Sequence, residues 1–130
     1  MDDFKEISTL ILKYSSLVNS GESAPLKALF APGGRFSGLA TFDIDTEFEQ
    51  YQSYLEYLRC DVYPNFRQFI SPSLIHVEGA SARAETQVML LYSPVGDDPK
   101  ILKTGILFDT FTLTYDGWKF VERYAEIDGD

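Results

Sequence analysis

The feature that most constrains the fold is a change in hydrophobic spacing near Pro64. Before it, apolar residues recur at the 3.6-residue period of helices, and after it they alternate with the two-residue period of strands. Helices and strands segregated in this way predict an α+β layout rather than alternating βαβ units. The chain has 130 residues, enough for one domain with its own core, so we expect a single domain over residues 1–130.

Three helices are predicted in the first half. The first covers residues 2–20 and ends at an Asn-Ser-Gly stop signal. A short second helix begins at Ser23 and is broken by Pro32-Gly33-Gly34, after which residues 35–37 read as a short strand. The third covers residues 45–60, with Thr46 as its expected N-cap.

The second half predicts a meander of four strands. Their expected ranges are 66–77, 82–93, 101–114 and 118–127, and the Asp116-Gly117 pair favours a tight turn before the last one. We expect this sheet to curl around the first helix and leave an apolar pocket. The abundance of aromatic residues (10 Phe, 8 Tyr and 1 Trp) suits a fold that lines a cavity with large side chains.

The charge of the chain narrows the range of partners. A formal net charge of −9 would repel phosphate backbones and anionic lipid surfaces, so neither nucleic acid nor a membrane is expected as a partner. No apolar run approaches the length of a membrane span. Cys60 is the one cysteine, which precludes an internal disulfide and favours a reducing compartment. We therefore expect a cytoplasmic protein.

Four segments carry a family resemblance. They are YSSLVNSGE from Tyr14 to Glu22, LKALFAPGGRF, FRQFISPSLIHVEG, and Asp116-Gly117-Trp118 followed by Arg123. In this order the chain resembles the nuclear transport factor 2-like superfamily, and within it the SnoaL-like group of polyketide cyclases, dehydratases and ketosteroid isomerase relatives. The resemblance implies a cystatin-like cone, with three N-terminal helices packed in a curved, mostly antiparallel β-sheet. It also implies a small hydrophobic ligand and a homodimer built on the open sheet face.

Two positions depart from the catalytic pattern of that group. Where its catalytic members pair an Asp late in the first helix with a His on the first long strand, this chain has Asn19 and Gln68. Amides do not exchange protons near neutral pH, so these side chains are expected to orient a ligand by hydrogen bonds.

Asp109 and Tyr14 are the candidate catalytic residues. Asp109 shares a strand face with Leu107 and Phe111, and a carboxylate buried there without a cation would have a raised pKa suited to proton transfer. The structural alternative is a buried Asp satisfied by Arg67, by Arg123 or by a tyrosine. Tyr14 could donate to a carbonyl or oxyanion, or it could be a core tyrosine.

Further side chains are candidates for binding a substrate. Arg67 and Arg123 could clamp a substrate carboxylate, or form salt bridges within an acidic protein. The candidate lining of the pocket is Phe36, Met89, Leu91, Leu107 and Phe111. One histidine, His76, and one cysteine do not make a zinc site without several carboxylates, so no metal and no cofactor is expected.

Two functions remain open, and the sequence does not decide whether the chain is an enzyme. The first is proton transfer on a hydrophobic carbonyl compound, namely isomerisation, dehydration or cyclisation. The second is a non-catalytic ligand-binding or protein-association module, which the amides at positions 19 and 68 favour.

Overall fold

The computed structural model describes residues 2–38 and 40–129. Helix α1 (Asp3–Ser20) is followed by a 3₁₀ helix (Ala24–Leu29), and helix α2 (Ile44–Tyr57) continues into a π-helical turn (Leu58–Val62). The strands are β1 (Phe30–Ser37), β2 (Phe42–Asp43), β3 (Arg67–Ile70), β4 (Leu74–Glu78), β5 (Ser81–Tyr92), β6 (Lys100–Thr114) and β7 (Gly117–Ile127). The predicted order of elements is confirmed.

The strands form one curved, mostly antiparallel sheet against which the helices pack. Its order is β2-β1-β7-β6-β5-β3, and β4 also pairs with β5. Strand β1 runs parallel to β7, and the other described pairs are antiparallel. The cone predicted from the resemblance is confirmed, with one parallel pair that joins the two halves of the chain.

Helix α1 packs its apolar stripe against the inner face of the sheet. The stripe places Ile7, Ile11, Tyr14 and Val18 in the core, each at most 5% exposed. Asp2 caps the start by accepting from the Lys5 amide, and Gly21 ends the helix in the left-handed conformation at φ +79°. Among the described residues, the resulting core contains 21 buried apolar side chains from both halves of the chain.

Several local features differ from the sequence prediction: β1 begins at Phe30 instead of residue 35, β2 is an additional short strand, and α2 ends at Tyr57 instead of residue 60. Asp43, not Thr46, caps α2, because its carboxylate accepts from the amides of Asp45 and Thr46. The strand predicted over 66–77 is divided into β3 and β4 by Ser71-Pro72-Ser73, since Pro72 has no N–H to donate to a ladder. Both pieces still pair with β5, but the register shifts by one residue across the break, from Ile70 opposite Val88 to Leu74 opposite Glu85.

No described helix is both long enough and apolar enough to cross a membrane.

Candidate functional site

A buried ion pair forms the centre of the site. The register of β6 and β7 places Asp109 directly opposite Arg123. The Arg123 Nε donates to Oδ1 of Asp109 at 2.8 Å, and Nη2 donates to Oδ2 at 3.0 Å. Each residue is only 1% exposed. This two-pronged geometry fixes the guanidinium in one plane and leaves its third nitrogen, Nη1, pointing elsewhere.

Two aromatic rings lie against the guanidinium, and a second tyrosine contacts one of them. The carbon Cζ of Arg123 lies 4.4 Å from the centre of the Tyr14 ring and 5.0 Å from that of Phe120, both within cation–π range. The hydroxyls of Tyr14 on α1 and Tyr51 on α2 contact each other. Among the described residues, nothing accepts a hydrogen bond from the buried Nη1 of Arg123. We call Arg123, Tyr14 and Tyr51 the donor cluster.

Burial governs the protonation of this cluster. It raises the pKa of Tyr14 to about 12 and that of Tyr51 well above its ordinary value, so both phenols keep their protons at neutral pH. Burial also raises the pKa of Asp109, and the Arg123 guanidinium offsets part of that rise. Burial lowers the pKa of Arg123, but Asp109 and the tyrosines together more than offset this, so the arginine stays charged.

An inner cavity of about 40 Å³ lies against the donor cluster. Its lining comes from α1, α2, β1, β3 and the strands β5 to β7, and comprises Tyr14, Phe36, Tyr51, Tyr54, Leu55, Leu58, Phe66, Gln68, Val88, Leu90, Leu107, Arg123, Ala125 and Ile127. None of these residues is a carboxylate, a histidine or a cysteine. The cavity can therefore offer hydrogen-bond donors to a ligand, but its lining lacks a base that works near neutral pH.

Five of the residues predicted from sequence line this cavity: Tyr14, Phe36, Gln68, Leu107 and Arg123. Asp109 and Phe111 are buried but do not line it. Asp109 lies behind Arg123, with both carboxylate oxygens bonded to the guanidinium. The geometry matches the structural alternative for this carboxylate, in which Arg123 satisfies it, and makes Asp109 a residue that positions Arg123.

The two amides connect α1 to β3. The Asn19 Nδ2 donates to the Gln68 carbonyl at 3.0 Å, and the Gln68 backbone N–H donates to Oδ1 of Asn19 at 2.7 Å. Both ends of the Asn19 side chain are thus bonded to backbone, and Asn19 does not line the cavity. The Gln68 Oε1 accepts from the Ser15 hydroxyl at 3.1 Å, and this side chain does reach the cavity.

Three candidate binding residues lie on the other side of the sheet. Met89 pairs across the strands with Phe69, which is 53% exposed, and Leu91 pairs with Arg67 and Ile101, which are also exposed. Directly paired residues share a face, so Arg67, Met89 and Leu91 do not reach the inner cavity. Val88 and Leu90 line it instead. The charged neighbours Arg83 and Glu85 have the parity of Met89, and this signal could have assigned the faces correctly.

Tyr51 is a site residue that the sequence analysis did not identify. Its contact with Tyr14 joins residues 37 positions apart, so it depends on how α2 packs over α1. Periodicity shows which face a residue occupies and not which hydroxyl it meets. Within the described residues, no three His, Cys, Asp or Glu side chains cluster closely enough to hold a metal ion.

Comparison with known proteins places the chain in a family. The family model described as the SnoaL-like domain matches residues 1–124. The chain belongs to the SnoaL-like domain family. No functionally curated protein matches it significantly in sequence.

Solved structures agree with this membership. An NTF2-like protein with a cystatin-like fold from Novosphingobium aromaticivorans is 25% identical, with a TM-score of 0.86 over 98% of this chain and 84% of that one. ActVI-ORFA from Streptomyces coelicolor is 12% identical, with a TM-score of 0.85 over 98% and 96%. A scytalone dehydratase-like protein, also from N. aromaticivorans, is 21% identical, with a TM-score of 0.75 over 95% and 82%. At such identities, the last two likenesses concern the fold alone.

Proposed function

We propose that this SnoaL-like protein binds a small hydrophobic carbonyl compound inside its cone and polarises the carbonyl oxygen. The observation that carries this proposal is the buried Nη1 of Arg123, which has no acceptor in the described structure and belongs to a residue lining an apolar cavity. An unsatisfied buried donor costs free energy, and a ligand acceptor would relieve that cost. Tyr14 and Tyr51, whose hydroxyls contact each other, line the same cavity.

The donor cluster suits an oxygen that gains negative charge. Preorganised donors in a site shielded from water stabilise a developing oxyanion more strongly than water does. Isomerisation, dehydration and cyclisation of carbonyl compounds can all pass through an enolate, in which the former carbonyl oxygen carries this negative charge. Since the cavity lining lacks a base, the geometry supports carbonyl activation more directly than proton abstraction by the protein.

The size of the inner cavity limits what enters it without rearrangement. A volume of about 40 Å³ is close to the share of one water molecule, so it holds only the carbonyl end of a ligand. The wall formed by α2 is the one best able to give way. Only Ile44 and Tyr51 of this helix are fully buried, and Glu47 interrupts its helical geometry at φ −126°, ψ 21°. We propose that ligand binding displaces α2 outward.

Infrared spectroscopy of a bound ketone tests carbonyl polarisation. With 2-acetonaphthone as the probe, we expect the C=O stretch to move to lower wavenumber on binding to the wild-type protein. Tyr14→Phe and Tyr51→Phe should each reduce that shift, while the matched control Tyr115→Phe, at a fully exposed position, should not. An unshifted stretch in the wild type, or equal shifts in all four proteins, would contradict the proposal.

A non-catalytic association role is the second candidate, and the outer face of the sheet favours it. We use this name for the side away from α1, which exposes Phe69, Leu74 and Ile101 by 53–75%. A groove of about 480 Å³ crosses it between Leu74, Phe108 and Tyr124 and also contains charged side chains of both signs, namely Arg83, Glu85 and Glu122. Such a surface can pair with its own copy about a two-fold axis, so we propose that the chain forms a homodimer through it.

A further inference from the structure

A second, outer pocket adjoins the inner cavity. It has a volume of about 90 Å³ and is lined by Val18, Gly21, Ser23, Leu55, Glu56, Arg59 and Phe66. Leu55 and Phe66 also line the inner cavity. These two apolar side chains are therefore the wall that the two spaces share. Leu55 is half-buried on α2, the element proposed above to move.

The outer pocket differs from the inner cavity in its chemistry. The Arg59 guanidinium lies against Gly21, where an added Cβ would overlap it. Among the described residues, Arg59 forms no ion pair, although Glu56 precedes it by three positions and lines the same pocket. In a chain of net charge −9, an arginine that lines a pocket and has no carboxylate partner among the described residues is available to an anionic ligand group.

We propose that the two spaces are halves of one elongated site, which takes a hydrophobic compound with a carbonyl at its inner end and a carboxylate at its outer end. The inference rests on the proposed function, because the inner end is the carbonyl bound by the donor cluster. Displacement of Leu55 joins the spaces, the aromatic or aliphatic body passes Phe66, and the carboxylate reaches Arg59. Val18 supplies a further apolar wall of the outer half.

The closing experiment compares two probes that differ in charge and by one methyl group. They are 6-acetyl-2-naphthoic acid and its methyl ester, titrated calorimetrically into the full chain. We expect the acid to bind about threefold more tightly than the ester, the size of an exposed ion pair, and the difference to shrink as salt is added. Arg59→Gln should abolish the preference, and Glu56→Gln should increase it. Lys13→Gln, an exposed loss of the same charge on α1, should leave it unchanged.

The substitution Leu55→Ala tests the connection between the two spaces. Truncation of Leu55, one of the two side chains that separate the spaces, should tighten binding of both naphthalene probes. Equal affinities of acid and ester in the wild type, or an equal loss of preference in Arg59→Gln and Lys13→Gln, overturn this inference and leave the proposed function standing. If neither probe binds to the wild type or to Leu55→Ala, the proposed function is overturned, and this inference with it.

Discussion

At the scale of single residues, the Asp109–Arg123 pair shows how one charge can dictate the chemistry around it. The carboxylate uses both oxygens on one arginine, and the remaining nitrogen of that arginine, Nη1, is buried with no acceptor among the described residues. Its charge also favours the contact with the Tyr14 ring. A buried ion pair of this kind adds little net stability, but either partner left alone is costly.

A double-mutant cycle measures that coupling. We expect Arg123→Met or Asp109→Leu alone to lower the free energy of unfolding by about 3–5 kcal/mol, because each leaves an unpaired buried charge. The double variant, which leaves neither charge, should recover most of the loss. Urea denaturation provides the measurement. A double variant as unstable as the sum of the single ones would show that the two residues are not coupled.

Tyr14 should make the free energy of unfolding depend on pH in alkaline solution. Its pKa is raised from the ordinary 10 to about 12 in the folded state. The contribution of the protonated Tyr14 to the free energy of unfolding is therefore complete below pH 10, and it is lost as the pH rises to about 12. The expected loss over this interval is about 3 kcal/mol, from 1.4 kcal/mol for each pKa unit. Urea denaturation across this range should show a smaller loss in Tyr14→Phe than in the wild type or in Tyr115→Phe. Parallel losses in all three would rule Tyr14 out as the source.

At the scale of elements, the amide bridge between α1 and β3 defines where the first helix meets the sheet. Asn19 satisfies one carbonyl and one N–H of the Gln68 backbone. Without the Asn19 side chain, the backbone N–H and carbonyl of Gln68 lose these partners. Gln68 lies in a strand of only four residues that ends shortly before Pro72. Asn19, which the sequence suggested as a ligand-orienting residue, is instead bonded to backbone and connects α1 to β3.

Asn19→Ala should lower the free energy of unfolding by about 2 kcal/mol, from two hydrogen bonds at about 1 kcal/mol each. Hydrogen exchange at the Gln68 amide should accelerate in the same variant. Ser20→Ala, which removes only an exposed bond to the Leu17 carbonyl, is the matched control. Unchanged protection of the Gln68 amide in Asn19→Ala would contradict the bridge.

The sequence predicted the elements better than it predicted their contacts. Periodicity gave the bounds of α1 and of β5 to β7 to within about two residues, because long, regular patterns leave little choice of register. It did not separate β3 from β4, although Pro72 is a known strand breaker. It named Tyr14 and Arg123 as site residues, but the Tyr14–Tyr51 contact and the shared wall at Leu55 depend on three-dimensional packing. Assignment of Met89 and Leu91 to the pocket was an error of strand parity.

At the scale of the whole molecule, the net charge opposes association of two copies, and the apolar residues of the outer face favour it. Two copies that each carry −9 repel at low salt, while burial of Leu74 and Phe108 favours association. Dimerisation and the cytoplasmic location both remain predictions.

The proposed homodimer should therefore strengthen with ionic strength. Sedimentation at about 10 mM and 150 mM salt should show a larger dimer fraction at the higher value, because the Debye length falls from about 30 Å to 8 Å. Leu74→Asp should shift the protein to monomer, while Val95→Asp, on an exposed loop outside the groove, should not. A monomer under all these conditions would contradict the association role.

The parallel pairing of β1 with β7 sets an order of events during synthesis. Strand β7 lies between β1 and β6, near the middle of the sheet, although it is the last strand of the described chain to be made. On a translating ribosome, β1 has no neighbour on that side until some 80 further residues have emerged. The part of helix α1 that packs against β7 stays exposed over the same interval, so the nascent chain should be a substrate for chaperones until the sheet closes.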